Sequence, residues 1–336
     1  MLALTDIQRA IPGALDAVDD VGGGYEPLFR GKVRDAFRAP SGHRVLVTTD
    51  RVSAFDQVLG TIPFKGQVLN ELTAWWLRKT TDIVANHLVS VPDPNVMVCL
   101  EAKPLPVEVI VRGYITGVTS TSLWTLYSRG VERPYGLDLP PNLEKNDPLP
   151  VAVITPTTKA EAGQHDERLT SEEVVSSGLV DAALWEQVTT AALALFARGQ
   201  KEARKRGLIL VDTKYEFGLV DGRLVLIDEV HTPDSSRYWV ADSYARSRDT
   251  GAAPEHFDKE LLRQWLSEQG YRGDGPFPGI PDAVKVRLAN HYIAVYERLT
   301  GQTFVPGRQP VLPRIQAALG GLSAASEVRG HASIQP

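Results

Sequence analysis

Acidic side chains interrupt a strongly apolar β-ribbon, and this pattern is the most informative in the chain. The first strand of the ribbon contains Asp212-Thr-Lys-Tyr-Glu-Phe-Gly218, and the second contains Ile227-Asp-Glu-Val230. Carboxylates inside strands are costly unless they are paired with cations or bound to a metal ion. Glu216 and Asp228 therefore either hold Mg²⁺, which prefers carboxylate oxygens, or form a salt-bridge ladder with Lys214.

The register of this ribbon decides whether Glu216 and Asp228 share a face of the sheet. A two-residue turn at Asp221-Gly222 would put the two carboxylates on opposite faces. A three-residue turn that pairs Leu219 with Arg223 puts them on the same face and gathers aromatic and aliphatic side chains on the other. We predict the second register because it separates polar from apolar side chains.

A short basic segment, Gly31-Lys-Val-Arg-Asp35, lies between strand-like runs. A glycine beside Lys32 and Arg34 can bring backbone N–H groups and cations against phosphates. An ordinary β-turn with solvated charges explains the same residues. The segment is not a P-loop, because Val33 stands where that motif needs Ser or Thr.

Arg112 ends an apolar strand, and Gly113 and Gly117 follow it. An arginine in this place suits a carboxylate or phosphate site. The run Thr119-Ser-Thr-Ser122 adds hydroxyl groups at a predicted helix start, which is another feature that favours anions. An N-cap combined with a structural ion pair is the alternative for this segment.

Two later segments also contain charged groups. Lys159 precedes His165-Asp166, a pair that suits acid–base chemistry or a structural hydrogen bond. Lys259 and Arg263 are four residues apart and are predicted to project from one face of a helix. They form either an anion clamp or a solvated surface.

The elements around these residues predict a mixed α and β fold. The first third of the chain predicts a mostly antiparallel sheet with a helix over Gln67–Lys79. The ribbon is predicted at 208–230 with an Asp-Gly turn. The remaining predictions are a proline-rich loop over Tyr135–Pro156, helices over Asp181–Arg206, Pro254–Gln269 and Pro281–Thr300, and a tail after Gly301 that is partly disordered at its end.

The bulk composition limits the function classes. The chain has 336 residues, 43% apolar and 23% charged, with a net charge of -5. This predicts a globular protein of two lobes and disfavours nucleic acid as a partner. Cys99 is the single cysteine, and the sequence has neither a membrane-length apolar run nor a signal peptide. We therefore predict a cytoplasmic protein without membrane partners.

Together the motifs resemble the SAICAR synthetase (phosphoribosylaminoimidazole-succinocarboxamide synthase) family, and they occur in the family's order. The matching segments are Gly31–Asp35, Thr49–Asp56, Val111–Gly117, Lys159–Asp166, Asp212–Gly218, Asp228–Trp239 and Phe257–Trp265. They span most of the chain, and their combination is highly specific.

The resemblance implies a reaction and a fold. ATP phosphorylates the carboxylate of the imidazole nucleotide CAIR, and the amine of L-aspartate displaces phosphate to give SAICAR, ADP and phosphate. The implied fold class is α+β and two-lobed, with a kinase-like antiparallel β-rich N-terminal lobe and a larger α+β lobe. The implied division is a nucleotide-binding lobe at 1–105, a catalytic lobe at 106–260, and a C-terminal helical segment and tail at 261–336.

The resemblance also implies roles for individual residues. Lys159 matches the family's active-site lysine, and Glu216 and Asp228 match its magnesium ligands. Arg112 and Arg237 match its anion-binding arginines, which with Lys159 are the implied catalytic residues and also contact substrate. The implied contacts to ATP are Gly31, Lys32, Val33, Arg34, Lys103 and Lys214, with adenine near the connector 103–106. The implied contacts to the other substrates are Ser53, Asp56, Thr119, Ser120, Asp234, Ser235, Lys259 and Arg263.

One position departs from the family pattern. Many members have Thr-Gly-Ser after the strand arginine, whereas this chain has Thr116-Gly117-Val118. Thr119 or Ser120 could supply the missing hydroxyl. The loop over 135–158 is a candidate lid that would keep water from an acyl phosphate.

The competing readings are a small-molecule kinase and a non-catalytic nucleotide-binding protein. The chain has no His-Arg-Asp or Asp-Phe-Gly kinase sequence. The sequence does not determine whether the protein is a monomer or a small homo-oligomer.

Overall fold

The computed structural model describes residues 2–55, 57–159 and 167–332. In chain order the elements are α1 (Leu4–Ala10), β1 (Glu26–Arg30), β2 (Arg34–Arg38), β3 (Arg44–Thr48), β4 (Arg51–Ala54), β5 (Gln57–Thr61), α2 (Lys65–Lys79), β6 (Leu88–Asp93), β7 (Val96–Cys99), β8 (Lys103–Tyr114), α3 (Leu123–Ser128), β9 (Pro148–Thr158), α4 (Ser171–Ser176), α5 (Ala182–Arg204), β10 (Leu208–Val220), β11 (Arg223–Ile227), β12 (Ser236–Val240), α6 (Ala241–Thr250), α7 (Glu260–Glu268), α8 (Asp282–Thr300) and α9 (Val311–Ala332). The α+β class expected from the sequence is confirmed.

The chain divides into two compact units. The first unit comprises residues 1–77, 87–101 and 257–336, and the second comprises 78–86 and 102–256. The division into three segments at 105/106 and 260/261 stays a prediction. In the residues that the structure describes, no helix is both long and apolar enough to cross a bilayer.

The first unit contains a five-stranded antiparallel sheet in the order β1-β2-β3-β7-β6 and a separate β4-β5 ribbon. One core of this unit joins Phe37, Val45 and Val96 of the sheet to Ile315 and Leu319 of α9. The prediction of a tail after Gly301 is therefore wrong for the described part of α9. The expected disorder at the very end falls on residues 333–336, which lie outside the described residues.

The second unit contains an antiparallel sheet in the order β11-β10-β8-β9, with β12 pairing the first half of β10. The loop predicted over Tyr135–Pro156 is wrong from Pro148 onward, because β9 pairs along β8 there. The prolines of β9 disguised this strand, and they are tolerated because β9 is the edge strand, where a missing N–H breaks no ladder bond. Residues 148–158 therefore cannot act as the proposed lid.

Helix α5 follows its predicted limits closely. The Asp181 side chain caps its start by accepting from the N–H of Ala183 at 2.9 Å. Gly207, which ends it, has a φ of 66°. Helix α6 was not predicted, and α7 begins at Glu260 instead of the predicted Pro254.

Candidate functional site

A tight turn at Asp221 and Gly222 joins β10 to β11. The two residues have φ angles of 50° and 75°, which are typical of a two-residue hairpin turn. Val220 consequently pairs with Arg223. The predicted three-residue turn, which pairs Leu219 with Arg223, is wrong. An Asp-Gly pair can adopt positive φ at both positions, so the hairpin closes without an extra residue.

Glu216 on β10 is held by a lysine at each carboxylate oxygen. Its Oε1 accepts from Lys214 Nζ at 2.6 Å and its Oε2 from Lys159 Nζ at 2.5 Å. Lys214 Nζ also donates to Glu108 Oε1 at 2.6 Å. Glu108 lies directly opposite Glu216 on β8. Two carboxylates that would repel each other across the strands are thus bridged by one lysine.

The charges of this cluster determine its protonation. Burial by itself would raise the pKa of Glu216, but Lys214 and Lys159 outweigh that effect and lower the pKa to about 2. Burial would lower the pKa of Lys214, but the carboxylates of Glu216, Glu108 and Asp228 raise it. Glu216 and Lys214 are therefore both charged at neutral pH.

Asp228 lies just after β11, where the backbone leaves the ribbon with a φ of 60°. Because Glu216 faces Ile227, a regular continuation of the strand would put Asp228 on the opposite face of the sheet. The left-handed conformation ends that alternation. The Asp228 carboxylate instead acts electrostatically on the Lys214 ammonium group, to which Glu216 is also bonded.

The donor set of Glu216 and Asp228 fits a magnesium ion. Mg²⁺ is commonly held by one or two protein carboxylates, with water and phosphate oxygens completing its shell. In residues 2–55, 57–159 and 167–332 no group of three or more His, Cys, Asp or Glu forms a metal site. Two carboxylates leave coordination positions of a magnesium ion for oxygen atoms of water or of a phosphate group.

Two arginines converge on Asp212 at the other end of β10. Arg112 Nη1 lies 3.6 Å and Arg237 Nη2 lies 3.3 Å from Asp212 Oδ2. The buried Arg112 also donates through Nε to Thr155 Oγ1 at 2.8 Å. Burial lowers the pKa of Arg112, which Asp212 partly counteracts. Two guanidinium groups sharing one carboxylate leave positive charge for a bound anion.

A loop of small and hydroxyl residues, 117–122, lies beside these arginines. A Cβ on Gly117, which has a φ of 107°, would come within 2.4 Å of Ser122 Cβ and 3.7 Å of Arg237 Nη1. Ser122 caps α3, which agrees with the N-cap alternative for this segment. Thr119 and Ser120 are exposed in this loop, and Val118, the departure from the family pattern, is 76% exposed.

Asp234 and Ser235 lie in a tight turn between β11 and β12. The Thr232 hydroxyl accepts from the N–H groups of both residues at 3.2 Å, and the Ser235 carbonyl accepts from the N–H of Lys214 at 3.0 Å. The turn thereby connects Arg237, two residues further on, to the strand that carries Lys214. Both side chains are half-buried.

In the first unit, the turn at residues 31–33 joins β1 to β2. The N–H of Gly31 donates to the Arg34 carbonyl at 2.7 Å. The buried Arg51 donates to the Gly31 carbonyl at 2.9 Å, and it pairs with Asp35 at 2.6 Å. Lys32 is exposed at the turn, Val33 is half-buried and Arg34 is buried.

The other predicted residues of the first unit lie on separate elements. Lys259 is the residue before α7 rather than a member of it, which corrects the predicted helical pair. Arg263 lies on α7 with Nη1 3.5 Å from Glu260 Oε2. Ser53 is half-buried on β4. Asp56, like the His165-Asp166 pair, lies outside the described residues.

In the second unit, the structure gathers Lys159, Lys214, Glu216 and Asp228 in one cluster and Arg112 and Arg237 in another. Lys103 opens β8 and pairs with Leu219, so residues 103–106 begin a strand just after the boundary between the units at 101/102. Sequence reasoning missed Glu108, although a carboxylate in an apolar strand is the signal that singled out Glu216. It also missed Arg51, whose partners are too distant in sequence to give a local pattern.

Comparisons with known proteins agree with the resemblance. The SAICAR synthetase family model matches residues 27–276. A putative phosphoribosylaminoimidazole-succinocarboxamide synthase 2 of Agrobacterium fabrum is 50% identical over 279 residues, which cover 83% of this chain and 88% of that protein. A phosphoribosylaminoimidazole-succinocarboxamide synthase of Legionella pneumophila is 47% identical over 301 residues, covering 87% and 95%.

Solved structures support the same assignment. SAICAR synthase from Saccharomyces cerevisiae, complexed with SAICAR, is 31% identical with a TM-score of 0.74, over 86% of this chain and 98% of that one. A SAICAR synthetase in complex with ADP shares the fold at 21% identity and a TM-score of 0.63, over 84% and 100%. The chain belongs to the SAICAR synthetase family.

Proposed function

We propose that this chain ligates L-aspartate to the carboxylate of CAIR with ATP, forming SAICAR, ADP and phosphate. The observation that carries the proposal is the cluster of Lys159, Lys214, Glu216 and Asp228 in a chain of this family. Such a cluster offers both kinds of charge that phosphoryl transfer to a carboxylate needs. Cations neutralise the phosphoryl oxygens, and the two carboxylates can hold a divalent ion.

The reaction divides into two balanced steps. A carboxylate oxygen of CAIR attacks the γ-phosphorus of ATP, the bond to ADP breaks, and an acyl phosphate forms. The aspartate amine then attacks the acyl carbon, phosphate leaves with the C–O bonding pair, and the nitrogen loses a proton. Direct amide formation from a carboxylate would be slow, because oxide is a poor leaving group, and phosphorylation removes this obstacle.

Lys159 and Lys214 would act on the transferring phosphoryl group. Their ammonium groups both contact Glu216, so each is positioned before substrate binds, which limits the reorganisation needed in the reaction. Mg²⁺, when bound to Glu216 and Asp228, would supply further charge neutralisation to the phosphates. Because a lysine holds each Glu216 oxygen, metal binding would exchange at least one of these contacts.

The remaining predicted residues would bind the substrates. Arg112 and Arg237 suit the anionic groups of the imidazole nucleotide, with Thr119, Ser120, Asp234 and Ser235 nearby on the same unit. On the first unit, Gly31, Lys32, Val33 and Arg34 suit ATP phosphates. Lys103 would contribute to ATP binding, and Ser53, Asp56, Lys259 and Arg263 to the other substrates. The buried single thiol of Cys99 accords with the proposed cytoplasmic location.

A four-component assay tests the proposal. The purified chain is incubated with ATP, Mg²⁺, CAIR and L-aspartate, and ADP and SAICAR are quantified while each component is omitted in turn. We expect stoichiometric ADP and SAICAR that require all four. ADP release without aspartate at the full rate would indicate a kinase, and no turnover with retained ATP binding would indicate a binding protein.

A further inference from the structure

Tyr135 has a backbone conformation that bulky residues rarely adopt. Its φ is 58°, in the left-handed region, where a side chain with a Cβ is strained. The ring is buried in an apolar cluster with Ile115, Leu123, Leu126 and Leu149. Strained residues persist only where their surroundings hold them, and they concentrate at functional sites. The sequence indicated only that Tyr135 begins a loop.

The Tyr135 hydroxyl binds one structure that the proposed function uses and lies near another. It donates its proton to the Thr121 carbonyl, with 2.8 Å between the oxygens. The Arg112 guanidinium acts electrostatically on the same hydroxyl. Burial raises the pKa of Tyr135 although Arg112 and Arg168 act against it, which keeps the hydroxyl protonated.

Thr121 and Arg112 both belong to the anion-binding region. Thr121 belongs to the 117–122 loop, which exposes Thr119 and Ser120. The start of this loop is packed against Arg237, because Gly117 leaves only 3.7 Å from an added Cβ to Arg237 Nη1. Arg112 is held on its other side by Thr155 and Asp212. The loop is thus held by Tyr135 near its end and lies against Arg237 at its start.

We propose that Tyr135 is a positioning residue for substrate binding: its hydroxyl holds the 117–122 loop by the Thr121 carbonyl, beside the two arginines. Arginine and loop then present one pre-set surface to the anionic group of the imidazole nucleotide. Pre-setting reduces the conformational entropy that substrate binding must overcome. This inference rests on the proposed function, in which Arg112, Thr119 and Ser120 contact that substrate.

Tyr127 offers a matched control. Its side chain packs against the same apolar cluster as Tyr135. Its hydroxyl also donates to a backbone carbonyl at 2.8 Å, but to Pro140, and it accepts from the N–H of Leu143 at 3.1 Å. Removing this hydroxyl costs a comparable hydrogen bond in the same core, without touching Arg112 or Thr121.

The experiment compares Tyr135→Phe with Tyr127→Phe in the full-length chain. KM and kcat are measured with CAIR and ATP as varied substrates, together with thermal unfolding. For Tyr135→Phe we expect the KM for CAIR to rise about fivefold, as for loss of one hydrogen bond between neutral groups. The KM for ATP should stay within about twofold. Tyr127→Phe should lose similar thermal stability and keep the wild-type KM for CAIR.

Three outcomes separate the proposed role of Tyr135 from the proposed function on which it rests. An unchanged KM for CAIR in Tyr135→Phe, or an equal rise in both variants, overturns the positioning role. Arg112→Lys tests the proposed site separately, because lysine lacks the planar fork of donors. If Arg112→Lys also leaves the KM for CAIR unchanged, the proposed site itself fails. If Tyr135→Phe does not fold, Tyr135→His, which tolerates positive φ and lacks the phenol, must give the same rise.

Discussion

At the scale of single residues, Glu216 combines two opposing effects on the ionisation of one carboxylate. Its burial opposes ionisation, and the two lysines that bind its oxygens more than reverse that effect, bringing its pKa to about 2. Glu216 therefore stays ionised throughout the neutral range and needs no proton release before it can bind a cation. Its companion Asp228 depends on a left-handed backbone instead, since the strand register alone would direct it away.

Neutralising either carboxylate should lower the rate of turnover and weaken the binding of magnesium. For Glu216→Gln and Asp228→Asn, we expect kcat to fall on the order of 100-fold or more, as for loss of a pre-set charge at a reacting phosphoryl group. The magnesium concentration for half-maximal rate should rise in both. Steady-state rates over a magnesium titration measure this effect. Asp221→Asn, in the exposed hairpin turn, is the control, since asparagine also tolerates positive φ. Full magnesium-dependent turnover in Glu216→Gln and in Asp228→Asn would show that these carboxylates do not hold the metal.

His231 makes folding stability depend on pH. It is fully buried, its Nε2 is 2.5 Å from the Tyr215 hydroxyl, and burial lowers its pKa to about 3. In the unfolded chain its pKa is about 6.5, so below that value the unfolded state binds the extra proton. Stability is therefore complete above pH 6.5 and falls as the pH falls towards 3. Between pH 6.5 and 5 the expected loss is about 1.5 kcal/mol.

Urea unfolding of wild type and His231→Asn at several pH values checks this assignment. The variant should be less stable at pH 7 because it loses the contact with Tyr215, but its stability should fall less between pH 6.5 and 5. His43→Gln, at the surface turn between β2 and β3, should keep the wild-type slope. Equal slopes in wild type and His231→Asn would show that His231 is not the titrating group.

At the scale of helices and strands, the sequence was enough to predict an element where capping or turn residues mark its ends. Helix α5 was predictable because Asp181 caps it and Gly207 ends it, and the β10–β11 hairpin because Asp-Gly marks its turn. The register of the hairpin was not predictable in this way. Sorting side chains by polarity took no account of the left-handed backbone conformation of Asp228, where the chain leaves the hairpin. Strand β9 was missed because prolines conceal an edge strand, whose hydrogen bonding is known only from the assembled sheet.

The candidate site was predictable to the extent that its residues occur in recognisable motifs. Glu216, Lys159 and Lys214 meet in one cluster of the second unit, as the resemblance implied for residues of one site. Glu108, Asp212 and Arg51 were not predicted, because their roles come from partners on other strands. Lys214 reaches Glu108 across 106 positions of sequence, and Arg51 reaches Gly31 across 20. Long-range pairing of this kind leaves no periodic pattern in the sequence.

The C-terminal segment should be sensitive to a methyl group at Gly307. A Cβ there would lie 1.3 Å from Arg314 Nη1, and Arg314 pairs with Asp93 at 2.9 Å and donates to Asn95 at 2.6 Å. Gly307→Ala must displace this arginine from the nearly buried Asp93. We expect a loss of about 2 to 4 kcal/mol in the free energy of unfolding, as for a disrupted buried ion pair.

Gly320→Ala is the matched control for Gly307→Ala. Gly320 lies within α9, and a Cβ there would meet nothing within 4 Å. Alanine favours helix over glycine by about 0.5–1 kcal/mol, so this variant should be slightly more stable than wild type. Chemical denaturation of both variants gives the two values. If Gly307→Ala matched Gly320→Ala, the Arg314 contacts would not anchor this segment.

At the scale of the whole molecule, the residues that match the SAICAR synthetase family do not include every element of the first unit. The match ends at residue 276, whereas α8 and α9 follow it and belong to that unit. Ile315 and Leu319 of α9 are fully buried against the sheet that begins at β1. Removing α9 would therefore expose a core and not merely shorten a tail. The relatives from Agrobacterium fabrum and Legionella pneumophila align over 83% and 87% of the chain, a longer stretch than residues 27–276.

Ligand binding should stabilise the chain in a way that depends on the metal. A ligand that binds only the folded state adds RT ln(1 + [L]/Kd), about 2.7 kcal/mol at 100 times Kd. Given typical unfolding entropies, a chain of 336 residues should gain about 4 °C in melting temperature at that concentration of ADP with Mg²⁺. The physical reason is that the Glu216 and Asp228 carboxylates need a cation between them and the phosphates. ADP with a chelator should therefore give a clearly smaller shift, as should ADP with Mg²⁺ added to Glu216→Gln. Differential scanning fluorimetry measures all three, and an equal shift with and without the chelator would mean that the nucleotide binds without using these two carboxylates.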